Sequence, residues 1–124
     1  MKFRCTHNSI RLRLKRSNVD QLAKEGLTED RIYFGPHHYL SVQLITDATK
    51  QTISAELSGS IVKVILPETI AKPWIDSDAI SLEAEQVIEG ASALHILVEK
   101  DLSCVGRNKE NKADYFEELG NKDC

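Results

Sequence analysis

The stretch Ser9-Ile10-Arg11-Leu12-Arg13-Leu14-Lys15 alternates apolar and cationic residues without a break, and the fold is read outward from it. Period-two alternation places successive side chains on opposite faces of a strand. Ile10, Leu12 and Leu14 therefore face a core, while Arg11, Arg13 and Lys15 face water, carboxylates or an anionic ligand. Upstream, Lys2-Phe3-Arg4-Cys5-Thr6 alternates in the same way, and the intervening His7-Asn8 suits a two-residue hairpin turn because Asn tolerates a positive φ. The turn sets Cys5 opposite Ile10, Arg4 opposite Arg11, Phe3 opposite Leu12 and Lys2 opposite Arg13. Two like-charged pairs then stand face to face, each destabilising by about 0.2–1 kcal/mol, so carboxylates are expected beside them.

Charge is distributed unevenly. The first sixteen residues hold six of the chain's 16 Lys and Arg and none of its 19 Asp and Glu, a basic patch on a protein of net charge −3. Aromatic residues make up only 6% of the 124, so aliphatic side chains must build the core. No apolar run approaches the ~20 residues of a membrane-spanning helix, and Met1 to Thr6 lacks the apolar segment of a secretory signal. The expectation is a cytoplasmic protein. Cys5, Cys104 and Cys124 are odd in number and widely spaced, which predicts reduced thiols rather than a disulfide framework or a thiolate metal site; a Cys5 to Cys104 bridge is the alternative.

Downstream, Ser17 with Asp20 three residues on reads as a helix start, and Gly26 as its stop. Strands are expected from Arg31 to Phe34, broken by Gly35-Pro36, and from Leu40 to Leu44. Ile53, Ala55 and Leu57 alternate with polar residues, and Gly59-Ser60 turns the chain so that Leu57 meets Val62, Ala55 meets Val64 and Ile53 meets Leu66. Residues 61 to 66 are apolar on both sides apart from Lys63, as in a central strand. A short helix is expected near 67–75 with Pro67 at its first position, then strands over 80–85 and 94–98. No internal repeat is evident. Residues 1–104 read as one α+β domain and 105–124 as a polar tail, flexible or docked by Tyr115 and Phe116. The predicted architecture is a curved antiparallel sheet of seven or eight strands, open or partly closed into a barrel, with one helix after the second strand and another near 67–75.

Asn8-Ser9-Ile10-Arg11-Leu12-Arg13-Leu14, the helix from Val19 to Gly26, Phe34-Gly35, and Leu97-Val98-Glu99-Lys100-Asp101 with Cys104 resemble a family of short bacterial proteins of no assigned function. The resemblance covers most of residues 2 to 104 and implies no catalytic or binding residue. The outward Arg and Glu side chains also invite comparison with the triphosphate tunnel enzymes. Their opening motif of alternating Glu residues followed by Lys is missing, since the first strand here reads Lys2-Phe3-Arg4-Cys5.

Chemistry is sparse. No catalytic residue, cofactor or metal set is nominated: His37 and His38 are adjacent and point to opposite faces of an extended segment, His7 and His95 have no close partner, and no phosphate-binding glycine loop or nucleophile elbow occurs. The candidate anion site is the basic hairpin face of Lys2, Arg4, Arg11, Arg13 and Lys15, with Glu83 and Glu85 as its expected acidic partners. The opposing reading is internal neutralisation by Glu83, Glu85, Glu56 or Glu99. Nucleic acid is disfavoured by overall acidity and by the lack of aromatics among the cations. Two functions follow: a non-enzymatic interaction or structural module pairing with a partner or a second copy through an edge strand, or an anion- or phosphate-handling protein using the basic face.

Overall fold

The computed structural model describes residues 1–102 of the chain. Strand β1 (Lys2–Cys5) and β2 (Ser9–Leu14) form the expected hairpin in the expected register, Arg4 opposite Arg11 and Lys2 opposite Arg13. His7 and Asn8 both take positive φ, 47° and 58°, as a primed two-residue turn requires. Helix α1 (Arg16–Glu25) begins earlier than the Ser17 cap predicted, because Asn18 Oδ1 accepts the Lys15 N–H at 2.9 Å and so fixes the first turn two residues upstream. Gly26 ends it in the left-handed region (φ 72°), its N–H donating to the Leu22 carbonyl.

Strand β3 (Leu27–Gly35) starts directly after this cap, four residues before Arg31, and turns back into β4 (His38–Asp47) with an irregularity between Tyr33 and Gly35. Strands β5 (Ser54–Ser58) and β6 (Ile61–Pro67) keep the predicted pairs Leu57 with Val62 and Ala55 with Val64; Ile53 precedes the ladder. Pro67 is the last residue of β6 rather than the first of helix α2 (Glu68–Ile75), and Pro73 is tolerated inside that helix. Strand β7 (Ser81–Gln86) and β8 (Leu94–Lys100) complete the described chain. Lys100 Nζ donates to the carbonyls of Trp74 (2.8 Å) and Ser77 (2.7 Å), a cation at the negative end of α2.

The strands form two four-stranded sheets, β1-β2-β8-β7 and β3-β4-β6-β5, not one curved antiparallel sheet, and no barrel closes. Each is mixed: β2 runs parallel to β8 and β4 runs parallel to β6. Alternation marks the faces of a strand but not its non-local neighbour, so these two parallel joins left no trace in the pattern.

The joins expose a duplication. Residues β1-β2-α1-β3-β4 and β5-β6-α2-β7-β8 repeat one order of elements, and each sheet takes one hairpin from each half. The register rows superimpose: Phe3-Leu12-Val98-Leu82 in the first sheet answers Ala55-Val64-Leu44-Thr28 in the second. Loop hydrogen bonds repeat too, Thr46 N to Gly26 O and Lys100 N to Ile80 O, each 3.0 Å. The buried core follows as equivalent pairs: Leu12 and Val64, Leu14 and Leu66, Val19 and Ala71, Leu22 and Trp74, Val42 and Ile96, Leu44 and Val98, all 8% exposed or less. Apart from Leu14 and Leu66, residue type is kept only as "apolar" at these places, which hides the repeat from sequence inspection.

Candidate functional site

The outer face of the first sheet carries Lys2 and Arg4 from β1, Arg11 and Arg13 from β2, His95, Leu97 and Glu99 from β8, and Glu83 and Glu85 from β7. Lys15 is not part of it, having left the strand to cap α1. Because β8 lies between β2 and β7, the carboxylate beside the arginines is Glu99. Arg13 Nε donates to Glu99 Oε1 at 2.6 Å, and Arg11 Nε lies 3.1 Å from the same oxygen. The Arg11 contact misses the angle of a directed hydrogen bond, so its attraction is Coulombic. Lys2 Nζ lies 3.2 Å from Asp101.

Glu83 and Glu85 are thus not the partners of the arginines. They sit two strands away, about 10 Å at ordinary strand spacing, behind Leu97, and Glu83 Oε1 instead approaches His95 Nε2 at 2.5 Å, an ion pair only when the imidazole is protonated. A hollow opens on this face. It measures about 290 Å³ and is lined by Arg4, Thr6, Ser9, Ile10, Arg11, His95 and Leu97. A larger hollow of about 530 Å³ beside α2 is lined by Glu68, Lys72 and Asp76 with Ala48, Thr69 and Pro73, which brings together no convergent set of one charge.

The outer face of the second sheet holds a network that sequence reasoning missed. The Glu29 carboxylate accepts from Ser41 Oγ and from Gln43 Nε2 (2.9 Å), with Arg31 Nε 3.4 Å away, and these contacts, the Ser41 hydroxyl first, lower its pKa from the ordinary value. Arg31 stacks on Tyr39 (4.6 Å to the ring centre), and Tyr39 packs on Tyr33. Ser41 is fully buried, and its polar side chain amid Leu40, Val42 and Leu44 was the available signal.

A second missed device joins the two sheets. Gln86 Oε1 accepts the Ala55 N–H at 2.7 Å while Gln86 Nε2 donates to the Ala55 carbonyl at 3.1 Å, so one side-chain amide occupies the edge of β5 as a neighbouring strand would. Gln86 follows Leu82 and Ala84 at an inward position, where a polar residue calls for a partner.

Apolar side chains also reach solvent on the two edge strands of the second sheet: Ile32, Tyr33 and Phe34 on β3, the last 71% exposed, and Leu57 on β5 at 73%. Cys5 lies on the inward side of β1 but beyond the core, and is exposed; Cys104, Cys124, Tyr115 and Phe116 lie outside the described residues. Among the described residues no His, Cys, Asp and Glu set is placed to hold a metal ion, and no helix is long and apolar enough to cross a membrane. No curated protein and no solved structure matches the chain. A family model does match, over residues 1–119, so the chain belongs to the Family of unknown function (DUF7009).

Proposed function

We propose that the chain is a non-enzymatic interaction module that binds a protein partner through an edge strand of the second sheet, β3. The observation that carries this reading is the exposure of Ile32, Tyr33 and Phe34 in succession on the edge strand β3, with Leu57 exposed on the opposite edge, β5. Scattered exposed apolar residues are ordinary, whereas three in succession on one edge strand favour association. Strand β3 is also an edge strand of nine residues with no proline. Sedimentation velocity over a concentration series tests the simplest partner, a second copy: association that Phe34→Ser with Leu57→Ser abolishes supports the reading. Monomer at every concentration, together with no change in any partner binding on this double substitution, refutes it.

The hollow beside Arg4 and Arg11 favours a second reading, an anion site on the basic face. The sharing of Glu99 by Arg11 and Arg13 weakens it, since each cation already has a carboxylate. Inorganic phosphate or polyphosphate should raise the melting temperature, and less so in high salt; an unmoved melting curve eliminates the site.

A further inference from the structure

The four hairpins of the duplicated fold all turn at one end of the molecule. Helix α1 joins β2 of the first sheet to β3 of the second, and α2 joins β6 of the second to β7 of the first. The two helices lie side by side, Leu22 of α1 and Ile75 of α2 lining one hollow, so both sheets share a helix end and their turns lie at the other. The hairpins do not reach equally far. Thr6 and Ser9 close the β1-β2 turn level with His95 and Glu85, whereas β7-β8 runs on through Gln86 opposite Leu94 to Val87 and the loop beyond. In the second sheet Ser58 and Ile61 close β5-β6 level with Ser41 and Arg31, whereas β3-β4 runs on through Ile32 opposite Leu40 and Tyr33 opposite Tyr39 to Gly35.

The Gln86 amide on Ala55 sets β7 beside β5, and the Met1 amino group, 2.9 Å from Asp30, sets the start of β1 beside β3. Around the turn end the hairpins therefore come in the order β1-β2, β7-β8, β5-β6, β3-β4, alternately low and high. Two crests crossing two dips make a saddle, and a saddle fits its own copy face to face after a quarter turn.

The chemistry of this end agrees with its shape. Residues 5–9, 33–40, 57–61 and 86–94 build it and hold one charged residue, Glu89, counting His as neutral, although the chain carries 16 Lys and Arg and 19 Asp and Glu. They also hold the four most exposed large apolar side chains among the described residues: Tyr33 at 59%, Phe34 at 71%, Leu57 at 73% and Val87 at 89%. Tyr33, Phe34 and Val87 ride on the crests, and Leu57 leads into the β5-β6 dip.

We infer that the turn end pairs with the turn end of a second copy about a two-fold axis, each β3-β4 crest seated in the other's β5-β6 dip so that Tyr33 and Phe34 cover Leu57, and each β7-β8 crest seated in the other's β1-β2 dip. This names the partner and so rests on the interaction-module reading, with the whole turn end in place of the β3 edge alone. Charge selects the occupant: two copies of net charge −3 repel, and this end brings the fewest charges together while its apolar crests leave water. Leu57, the large exposed aliphatic beside a dip, decides which crest meets which dip. The contact is isologous, so every substitution in it acts twice.

Sedimentation velocity of the full chain, from micromolar to millimolar concentration, should show a dimer. Val87→Asp, just past β7 and no part of β3, should raise the dissociation constant about a hundredfold, tenfold at each of two symmetric sites. Thr69→Asp, exposed on α2 at the helix end, should leave it unchanged. Phe34→Lys and Leu57→Glu should each be monomeric alone and form a dimer when mixed. Monomer at every concentration, equal weakening by Thr69→Asp, or a mixture that stays monomeric overturns the inference. Association that Phe34→Ser with Leu57→Ser abolishes and Val87→Asp leaves intact would refute the turn-end pairing while the module reading stands.

Discussion

Replacing Glu99 by Gln tests whether the basic face is balanced from within. The substitution keeps the shape and one acceptor oxygen but removes the charge shared by Arg13 at 2.6 Å and Arg11 at 3.1 Å. Hydrogen bonds to charged groups contribute about 1.5–3 kcal/mol against about 0.5–1.5 for neutral ones, so the Arg13 bond loses about 1 kcal/mol. Arg13 and Glu99 are each about one-sixth exposed, which keeps screening modest, while Arg11 is nearly one-third exposed and its contact adds only about 0.3 kcal/mol. The cross-strand pairs Arg4 with Arg11 and Lys2 with Arg13 then repel without the Glu99 charge beside Arg11 and Arg13, costing about 0.5 kcal/mol more. The total is about 2 kcal/mol, a fall in Tm of about 8 °C for a chain of this size. Urea denaturation measures it, and sulfate should restore more stability to the variant than to the parent. A loss below about 0.5 kcal/mol, or equal sulfate responses, would show that solvent rather than Glu99 balances the arginines.

Gln86→Ala removes both bonds to the Ala55 backbone and leaves a nearly buried N–H and C=O unmatched, at a cost of about 2 kcal/mol by urea denaturation; a loss under about 0.5 kcal/mol would mean water satisfies the β5 edge equally well. Glu29 has a folded pKa below its unfolded one, so its contribution to stability is present above the unfolded value and disappears as pH falls through the folded value. Ser41→Ala removes the first cause of that lowering: the Glu29 carboxyl should titrate higher by NMR, with a destabilisation of about 1 kcal/mol at neutral pH that shrinks in acid. An unmoved Glu29 titration would contradict the assigned hydrogen bond. Gly26→Ala forces a Cβ into a left-handed position and within 3.2 Å of Thr46 Oγ1, and should cost about 1–2 kcal/mol; a neutral result would place the helix stop elsewhere.

Local physics carried much of the fold into the sequence. The hairpin at His7-Asn8 and that at Gly59-Ser60 were legible because a two-residue turn and a period-two pattern together determine register. Gly26 was legible as a helix stop because few residues other than glycine take φ 72° without strain. The parallel joins of β2 with β8 and β4 with β6 link residues more than 15 positions apart and depend on no turn, so the pattern could not express them. From that one omission follow the single curved sheet expected in place of two, the unseen duplication, and the assignment of Glu83 and Glu85 rather than Glu99 to the arginines. Lys15 was misplaced for a different reason: the alternation continues through it, but Asn18 captures its N–H and starts the helix there.

The duplicated sheets meet where the Gln86 amide closes the edge of β5, and native-state amide exchange reads that closure directly. Ala55, whose N–H is held at 2.7 Å by Gln86, should exchange slowly in the parent and faster in Gln86→Ala, while Glu56, directed at β6, stays protected in both. An Ala55 amide that exchanges as fast in the parent as in Gln86→Ala would contradict it.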